Sequence, residues 1–264
     1  MILAVDIGNS NIVIGGVKED KIVFKARIRT DSTKTSDEYC VDLKILLEVH
    51  HVDTKDIEGS ILASVVPQVL NSMKTALRKL TGMDSLVVGP GLKTGLNIQI
   101  ENPEQTGADL VVGSVAALRE HKAPLIVIDM GTATTMAVLD KNGALVGGSI
   151  SPGLKTSLDA LTARTALLPG LQLDKPKRVI GRNTDDAMRS GVMLGAACMI
   201  DGMVARMEEE LGSPATVIAT GGVAKFVVPL CRTQVIYDKD LLLKGLVALY
   251  RENTRHLKEG KNAQ

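Results

Sequence analysis

One short pattern occurs twice in this chain and narrows the folds open to it. Asp6-Ile7-Gly8-Asn9-Ser10-Asn11 stands near the start, and Asp129-Met130-Gly131-Thr132-Ala133-Thr134 stands 123 residues later. Each copy closes an apolar run, Ile2-Leu3-Ala4-Val5 and Leu125-Ile126-Val127-Ile128. Each is followed by a second apolar stretch, 12–17 and 135–139, then by polar turn residues at 18–21 and 140–143, and then by a third apolar stretch. Short apolar runs bounded by such turns read as strands. A strand, a glycine-containing turn, a strand, a hairpin and a strand therefore recur in the same order. The expected fold is α/β, with two halves at 1–121 and 122–264 and a cleft between them.

The turns carry chemistry suited to phosphate. Gly8 and Gly131 permit a positive φ and a close approach of backbone to a ligand. Successive amides in such a turn form a concave nest for anions. Asn9, Ser10, Asn11, Thr132 and Thr134 add small hydroxyl and amide groups. Asp6 and Asp129, at the strand ends, can hold a metal ion, usually through water, or a cation of another kind. Either copy alone reads as an ordinary hairpin turn; the repeat with matched flanks favours the ligand site.

Composition sets limits. The chain has 264 residues, 45% of them hydrophobic, with 2% aromatic and no Trp, so its core must be aliphatic. Net charge is +1, no basic block stands out, and few rings are available for stacking on bases. That argues against nucleic acid as a partner. Cys40, Cys198 and Cys231 are widely spaced and read as buried free thiols in a reducing cytoplasm. The four histidines, at 50, 51, 121 and 256, read as surface or helix-end residues. No uninterrupted apolar run reaches membrane-spanning length, and Met1 leads directly into a strand, so neither membrane nor export is expected.

Helices are expected from Ser36, as cap, to about residue 50 with Val41, Ile45 and Leu46 on one face, then from Pro67 to 80 and from 108 to 120. Short strands are expected at 60–65 and 85–88, followed by an irregular stretch from 89 to 105. Asn142-Gly143 signals a two-residue turn. Residues 147–153 read as a glycine-rich crossing into a helix. Asn183-Thr184-Asp185-Asp186 opens a long helix to about 211. A strand at 215–219, the turn Thr220-Gly221-Gly222, and a final helix at 239–255 complete the pattern, with a frayed tail after 257.

In this order and spacing the motifs resemble those of the type III pantothenate kinases, members of the acetate and sugar kinase, Hsp70 and actin superfamily. The matching segments are 6–11, Gly107-Ala108-Asp109, 129–134, Gly147 to Gly153, Thr165-Ala166-Leu167-Leu168-Pro169, and 219–222. The resemblance implies duplicated ribonuclease-H-like (actin-like ATPase) halves with a nucleotide cleft. It implies that Asp6, Ile7, Gly8, Asn9, Ser10, Asn11 and Thr132 bind ATP phosphates, with Mg²⁺ near Asp6. Gly221 and Gly222 match the superfamily's adenosine contact. Asp109 matches the catalytic base. Gly107, Ala108, Asp109, Leu110 and Thr184 fall at substrate-binding positions. Asp129 matches a site for a monovalent cation, K⁺ or NH₄⁺. A cytoplasmic homodimer is implied, acting on ATP and a pantothenate-like small molecule at the first step of coenzyme A synthesis. By local sequence alone, Asp109 and Thr184 also read as helix-start residues.

Two positions depart from the family pattern. Leu110 stands where Arg usually follows Gly-Ala-Asp, and Ile100 stands where Tyr usually precedes the acid-Asn-Pro segment. Leu cannot offer the charged fork with which Arg binds a carboxylate. Two other readings follow from this: a kinase of the same fold for another small hydroxylated substrate, and a non-catalytic nucleotide-binding regulator.

Overall fold

The computed structural model describes residues 1–165, 168 and 170–259. Ala166, Leu167 and Pro169 of the fifth motif, and the tail from Gly260, lie outside the described residues. The chain forms two compact units. One holds residues 1–95, 102–116 and the segment from Leu241 onward; the other holds 96–101 and 117–240.

In the first unit β1 (Ile2–Ile7) runs antiparallel to β2 (Asn11–Lys18), which is antiparallel to β3 (Lys21–Arg29). On its other side β1 pairs in parallel with β4 (Gly59–Ser64), and β4 with β5 (Leu86–Val87). Parallel neighbours need crossovers, supplied by α1 (Ser36–Val49) and α2 (Pro67–Thr81). Leu3, Val5 and Ile7 share one face of β1 and pack in the core with Tyr39, Leu43, Leu47, Met73 and Leu77 of these helices.

The cap and buried face of α1 differ from expectation. Thr35, not Ser36, is the cap, in a reciprocal box with Glu38. Tyr39, Leu43 and Leu47 are buried, whereas Val41 and Ile45 are more than half exposed. The helix carries two apolar stripes, and packing against α2 selects the one containing Tyr39. Its hydroxyl donates to the Asp31 carbonyl at 2.7 Å and accepts from the Asp31 amide.

The last helix, α8 (Leu241–Glu259), belongs to the first unit, where it packs on β1 and β4. A side chain at Gly15 would strike Leu243, so the bare strand lets the helix lie close. A single cut near residue 121 therefore does not describe these units.

The second unit repeats the plan. β6 (Leu125–Met130) is antiparallel to β7 (Ala133–Leu139), which is antiparallel to β8 (Leu145–Pro152). β6 is parallel to β9 (Thr216–Thr220), and β9 to β10 (Val235–Tyr237). The orders β3-β2-β1-β4-β5 and β8-β7-β6-β9-β10 are equivalent. Even the bulge recurs, at Gly16/Val17 and at Val138/Leu139. The β7–β8 connection is longer than a two-residue turn, because Leu139 pairs with Leu145 and Asp140 accepts from the amides of Asn142 and Ala144. Residues 147–152 continue β8, and only Gly153 is left as the cap of α4 (Leu154–Ala163).

A continuous helix runs from Thr184 to Leu211: α5 (Thr184–Arg189), a π turn at Ser190–Leu194, and α6 (Gly195–Leu211). Met193, Ala197, Ile200 and Val204 enter the core against β6, β9 and α7 (Ala224–Val227). By length and composition alone this helix could cross a membrane, a test that the core helix of a soluble protein also meets. Cys40 and Cys231 are partly buried and Cys198 is exposed, all free, so the expectation of buried thiols fails at Cys198. Partial burial, with Asp201 nearby, pushes the Cys231 thiol up to about 11.

Candidate active site

The first turn joins β1 to β2. Ile7 pairs with Ile12, and the Gly8 amide donates to the Asn11 carbonyl at 3.0 Å. Gly8 does not adopt a positive φ. A Cβ there would come within 3.1 Å of the Asn11 oxygen, so tight closure is what suits glycine at this position. Asn9, Ser10 and Asn11 are exposed at the tip, and Asp6 is half-buried at the strand end. The Ile7 side chain is buried in the core and its carbonyl accepts from Val65. Thr30, just past β3, pins the turn. Its hydroxyl donates to the Gly8 carbonyl at 2.6 Å and its amide to the Ser10 carbonyl at 3.1 Å. Thr30 belongs to no motif, and its place one residue after β3 is the signal for it that the sequence carries.

The second turn is one residue shorter, since Met130 pairs with Thr134. Gly131 also lacks a positive φ, and its amide donates to the Ala133 carbonyl. Thr132 is exposed, and its carbonyl accepts from the Gly153 amide and the Thr156 hydroxyl, tying the turn to the start of α4. Asp129 lies in register with Thr220 on β9 and Thr135 on β7. The corresponding row around Asp6 is Ala63 and Val13, so the second copy is the more polar. Gly221 has φ +100°, and a Cβ there would lie 2.5 Å from the Met130 carbonyl oxygen and 2.6 Å from Asp129 Oδ1. Only glycine fits both demands. Gly222 beside it is exposed.

Asp109 sits in the first turn of α3 (Ala108–Glu120). The Gly107 carbonyl accepts the first helical bond, from Val111, so Gly107 holds the cap position and Asp109 lies inside the helix. Its Oδ1 accepts from the Leu110 amide at 2.9 Å. Burial pushes this carboxyl above its usual value, and bonds from the Leu110 and Asp109 amides offset only part of that. A carboxylate with a raised pKa is a better proton acceptor near neutral pH. Gly107, Ala108 and Leu110 are all partly buried around it.

The loop before α3 is tied down. Lys93 exchanges bonds with Asn253 of α8, at 3.0 and 2.8 Å. Asn97, Ile98 and Gln99 form a short bridge with Leu145 of the second unit. Ile100 follows this bridge and is partly buried.

Thr184 opens α5 directly after its cap, Asn183, whose side chain accepts from the Asp186 amide at 2.8 Å. Thr184 therefore does not cap the helix. It lines a cavity of about 600 Å³ in the second unit, with Arg182, Leu161, Met188 and Val192.

The structure thus gathers the expected residues into four local groups: the first turn with Asp6, the start of α3, Asp129 with Gly221, and the Thr184 cavity. Comparisons with known proteins bear on what these groups serve. A family model described as type III pantothenate kinase matches residues 2–206. A type III pantothenate kinase of an Exiguobacterium species is 44% identical over 255 residues, covering 97% of this chain and 100% of the relative. One from Halalkalibacterium halodurans is 40% identical over 253 residues, covering 96% and 100%. Among solved structures, MreB 5 of Spiroplasma citri bound to AMPPNP superposes with a TM-score of 0.59 at 11% identity, covering 98% of both chains. The ADPNP-bound activator of 2-hydroxyisocaproyl-CoA dehydratase from Clostridium difficile gives 0.57 at 13%, covering 100% and 97%. These two likenesses carry the actin-like ATPase fold, and the matched sheets agree with it. With the family model spanning most of the chain and relatives aligned end to end, the chain belongs to the type III pantothenate kinases.

Proposed function

We propose that this protein transfers the γ-phosphoryl group of ATP to the primary hydroxyl of pantothenate, giving 4′-phosphopantothenate at the first step of coenzyme A synthesis. The observation that carries the reading is Asp109: one partly desolvated carboxylate, raised in pKa, with Gly107 leaving room beside it. Phosphoryl transfer asks the protein for positioning, charge neutralisation and one group to take the proton of the attacking hydroxyl. Asp109 takes that proton on a carboxylate oxygen as the new O–P bond forms and the bond from the γ-phosphorus to the bridging oxygen breaks, that oxygen leaving with ADP.

The exposed side chains and amides at Asn9, Ser10 and Asn11 suit the ATP phosphates, as does Thr132. Gly222, exposed beside the tightly packed Gly221, suits a contact with the adenosine. A half-buried carboxylate beside a phosphate turn, Asp6, fits Mg²⁺, which keeps most of its waters. The ion would supply charge neutralisation on the phosphates. Among the described residues no three His, Cys, Asp or Glu side chains cluster as a metal cage would require. The polar row Thr220–Asp129–Thr135 fits a more loosely held cation, and we assign K⁺ or NH₄⁺ to Asp129.

A homodimer goes with this reading. The long helix is only one-third buried over its most apolar stretch, and Val179 and Ile180 just before it are largely exposed. A cytoplasmic location follows from the ATP requirement and is compatible with three free cysteines. An ADP-release assay, with and without potassium, across pantothenate and other small alcohols tests the substrate. Pantothenate should give the highest kcat/KM; a clear preference for another alcohol would overturn the assignment.

A further inference from the structure

The first turn carries one charged side chain of its own, Asp6, and that charge is negative; Asn9, Ser10 and Asn11 are neutral. A triphosphate seated there leaves phosphate charge to be met by nearby cations. The β2–β3 register supplies one. Asn11 pairs directly with Arg29, so the two side chains leave the same face of the sheet as neighbours, with Cβ atoms about 5 Å apart. Arg27 stands two residues earlier, in the row of Val13 and Asp6, so Asp6, Asn11 and Arg29 share that face. Thr30, the next residue, bonds the Gly8 and Ser10 carbonyls, which holds the end of β3 against the turn. Arg29 is exposed, and its side chain makes no hydrogen bond or ion pair with another described residue. Asp31 feels its charge, but the Asp31 carboxylate is engaged by the amide and hydroxyl of Thr33.

β3 is an edge of its sheet, and Lys21, Lys25, Arg27 and Arg29 all stand at its exposed positions. Such charges keep an edge strand from pairing with other chains. That role needs cations along the strand; it does not need one opposite Asn11. Among these cations only Arg29 stands at the turn, and Lys21 lies at the other end of β3, about 26 Å away along the strand.

We infer that Arg29 binds the triphosphate of ATP at the first turn. This rests on the reading above that the first turn holds the phosphates. A guanidinium engages phosphate oxygens through paired charge-assisted bonds, where an ammonium acts as a point charge. Asp6 suits the metal ion and Arg29 the phosphate oxygens, so the opposite charges on this face have separate partners.

The test measures Mg²⁺-ATP binding by calorimetry, and pantothenate kinase kinetics, on the full chain as wild type, Arg29→Ala, Arg29→Lys and Lys21→Ala. Arg29→Ala should weaken Mg²⁺-ATP binding and raise its KM by about 10-fold, the lower end for a hydrogen bond to a charged group, with KM for pantothenate changed less than about 2-fold. Arg29→Lys should recover part of the loss. Lys21→Ala should match wild type. Mg²⁺-ATP affinity unchanged in Arg29→Ala overturns the role of Arg29. An equal loss in Lys21→Ala overturns it too, by reducing the effect to general surface charge. Either result leaves the kinase reading standing where wild type phosphorylates pantothenate. Wild type that binds Mg²⁺-ATP and phosphorylates no pantothenate overturns the substrate reading, while the calorimetric comparison still decides Arg29. Wild type that binds no Mg²⁺-ATP overturns both.

Discussion

A side chain on Gly107 would occupy the space now held by Oδ1 of Asp109. The glycine therefore fixes where the carboxylate can sit. Gly107→Ala should push Asp109 away from its present rotamer while the helix still starts at residue 108. Misplacing a catalytic group by about 1 Å costs on the order of 100-fold. We expect kcat to fall by about that factor with a melting temperature close to wild type. Turnover within 3-fold of wild type would mean that Asp109 need not stay where it is.

Thr30 holds the first turn through two hydrogen bonds, one from its hydroxyl to the Gly8 carbonyl. Thr30→Val keeps the shape and removes that donor. A hydrogen bond of this kind contributes about 0.5–1.5 kcal/mol net. KM for Mg²⁺-ATP should rise by roughly 3- to 10-fold, with KM for pantothenate little changed. A larger effect on pantothenate than on ATP would remove the turn from the nucleotide site.

Asp109 also predicts a stability effect. Its carboxyl is raised above 3.8 by burial, so the folded chain binds that proton more tightly than the unfolded chain does. The stabilising contribution is full below 3.8 and is lost as pH rises through the raised value. At neutral pH the ionised group therefore costs stability. Asp109→Asn removes the charge and keeps an acceptor for the Leu110 amide. The variant should melt above wild type at neutral pH, and the gap should close as pH falls toward 3.8. Thermal melts across that range check it; a variant less stable than wild type at neutral pH contradicts the burial argument.

The exposed pair Val179 and Ile180 precedes a long apolar helix that its own unit covers only in part. Sedimentation velocity should give a dimer of about 56 kDa, twice the 28.0 kDa of one chain. Ile180→Asp should shift the population toward monomer at low micromolar concentration. A wild type that sediments as a monomer throughout would remove the homodimer.

Much of this was legible in the chain. The repeated hairpins at 6–11 and 129–134 foretold the matched sheets, because strand alternation and turn chemistry are local properties. What stayed hidden depends on partners distant in sequence. The buried stripe of α1 is chosen by α2, and Tyr39 fits that stripe because its hydroxyl bonds the Asp31 backbone. α8 lies close to the sheet because Gly59 of β4 and Gly15 of β2 carry no side chain to meet Tyr250 and Leu243, which composition does not reveal. The cap at Thr35 was overlooked because Ser36 is an equally good capping residue. At the site, Asp109 was named from its motif, but its inward place in the helix and its displaced titration emerge only from burial. Thr30 carries no motif, and its two bonds to the first turn alone bring it forward.

The most direct measurement is the rate of 4′-phosphopantothenate formation, read by phosphorus NMR, for wild type and Asp109→Asn with saturating Mg²⁺-ATP, potassium and pantothenate. Wild type should form one phosphorylated product per ADP, with the phosphate on the primary hydroxyl. Asp109→Asn should be slower by about 10²- to 10⁴-fold, the usual contribution of a general base, with ATP binding retained. A wild type that binds ATP yet yields no phosphopantothenate, or an Asp109→Asn variant within a few-fold of wild type, would contradict the account.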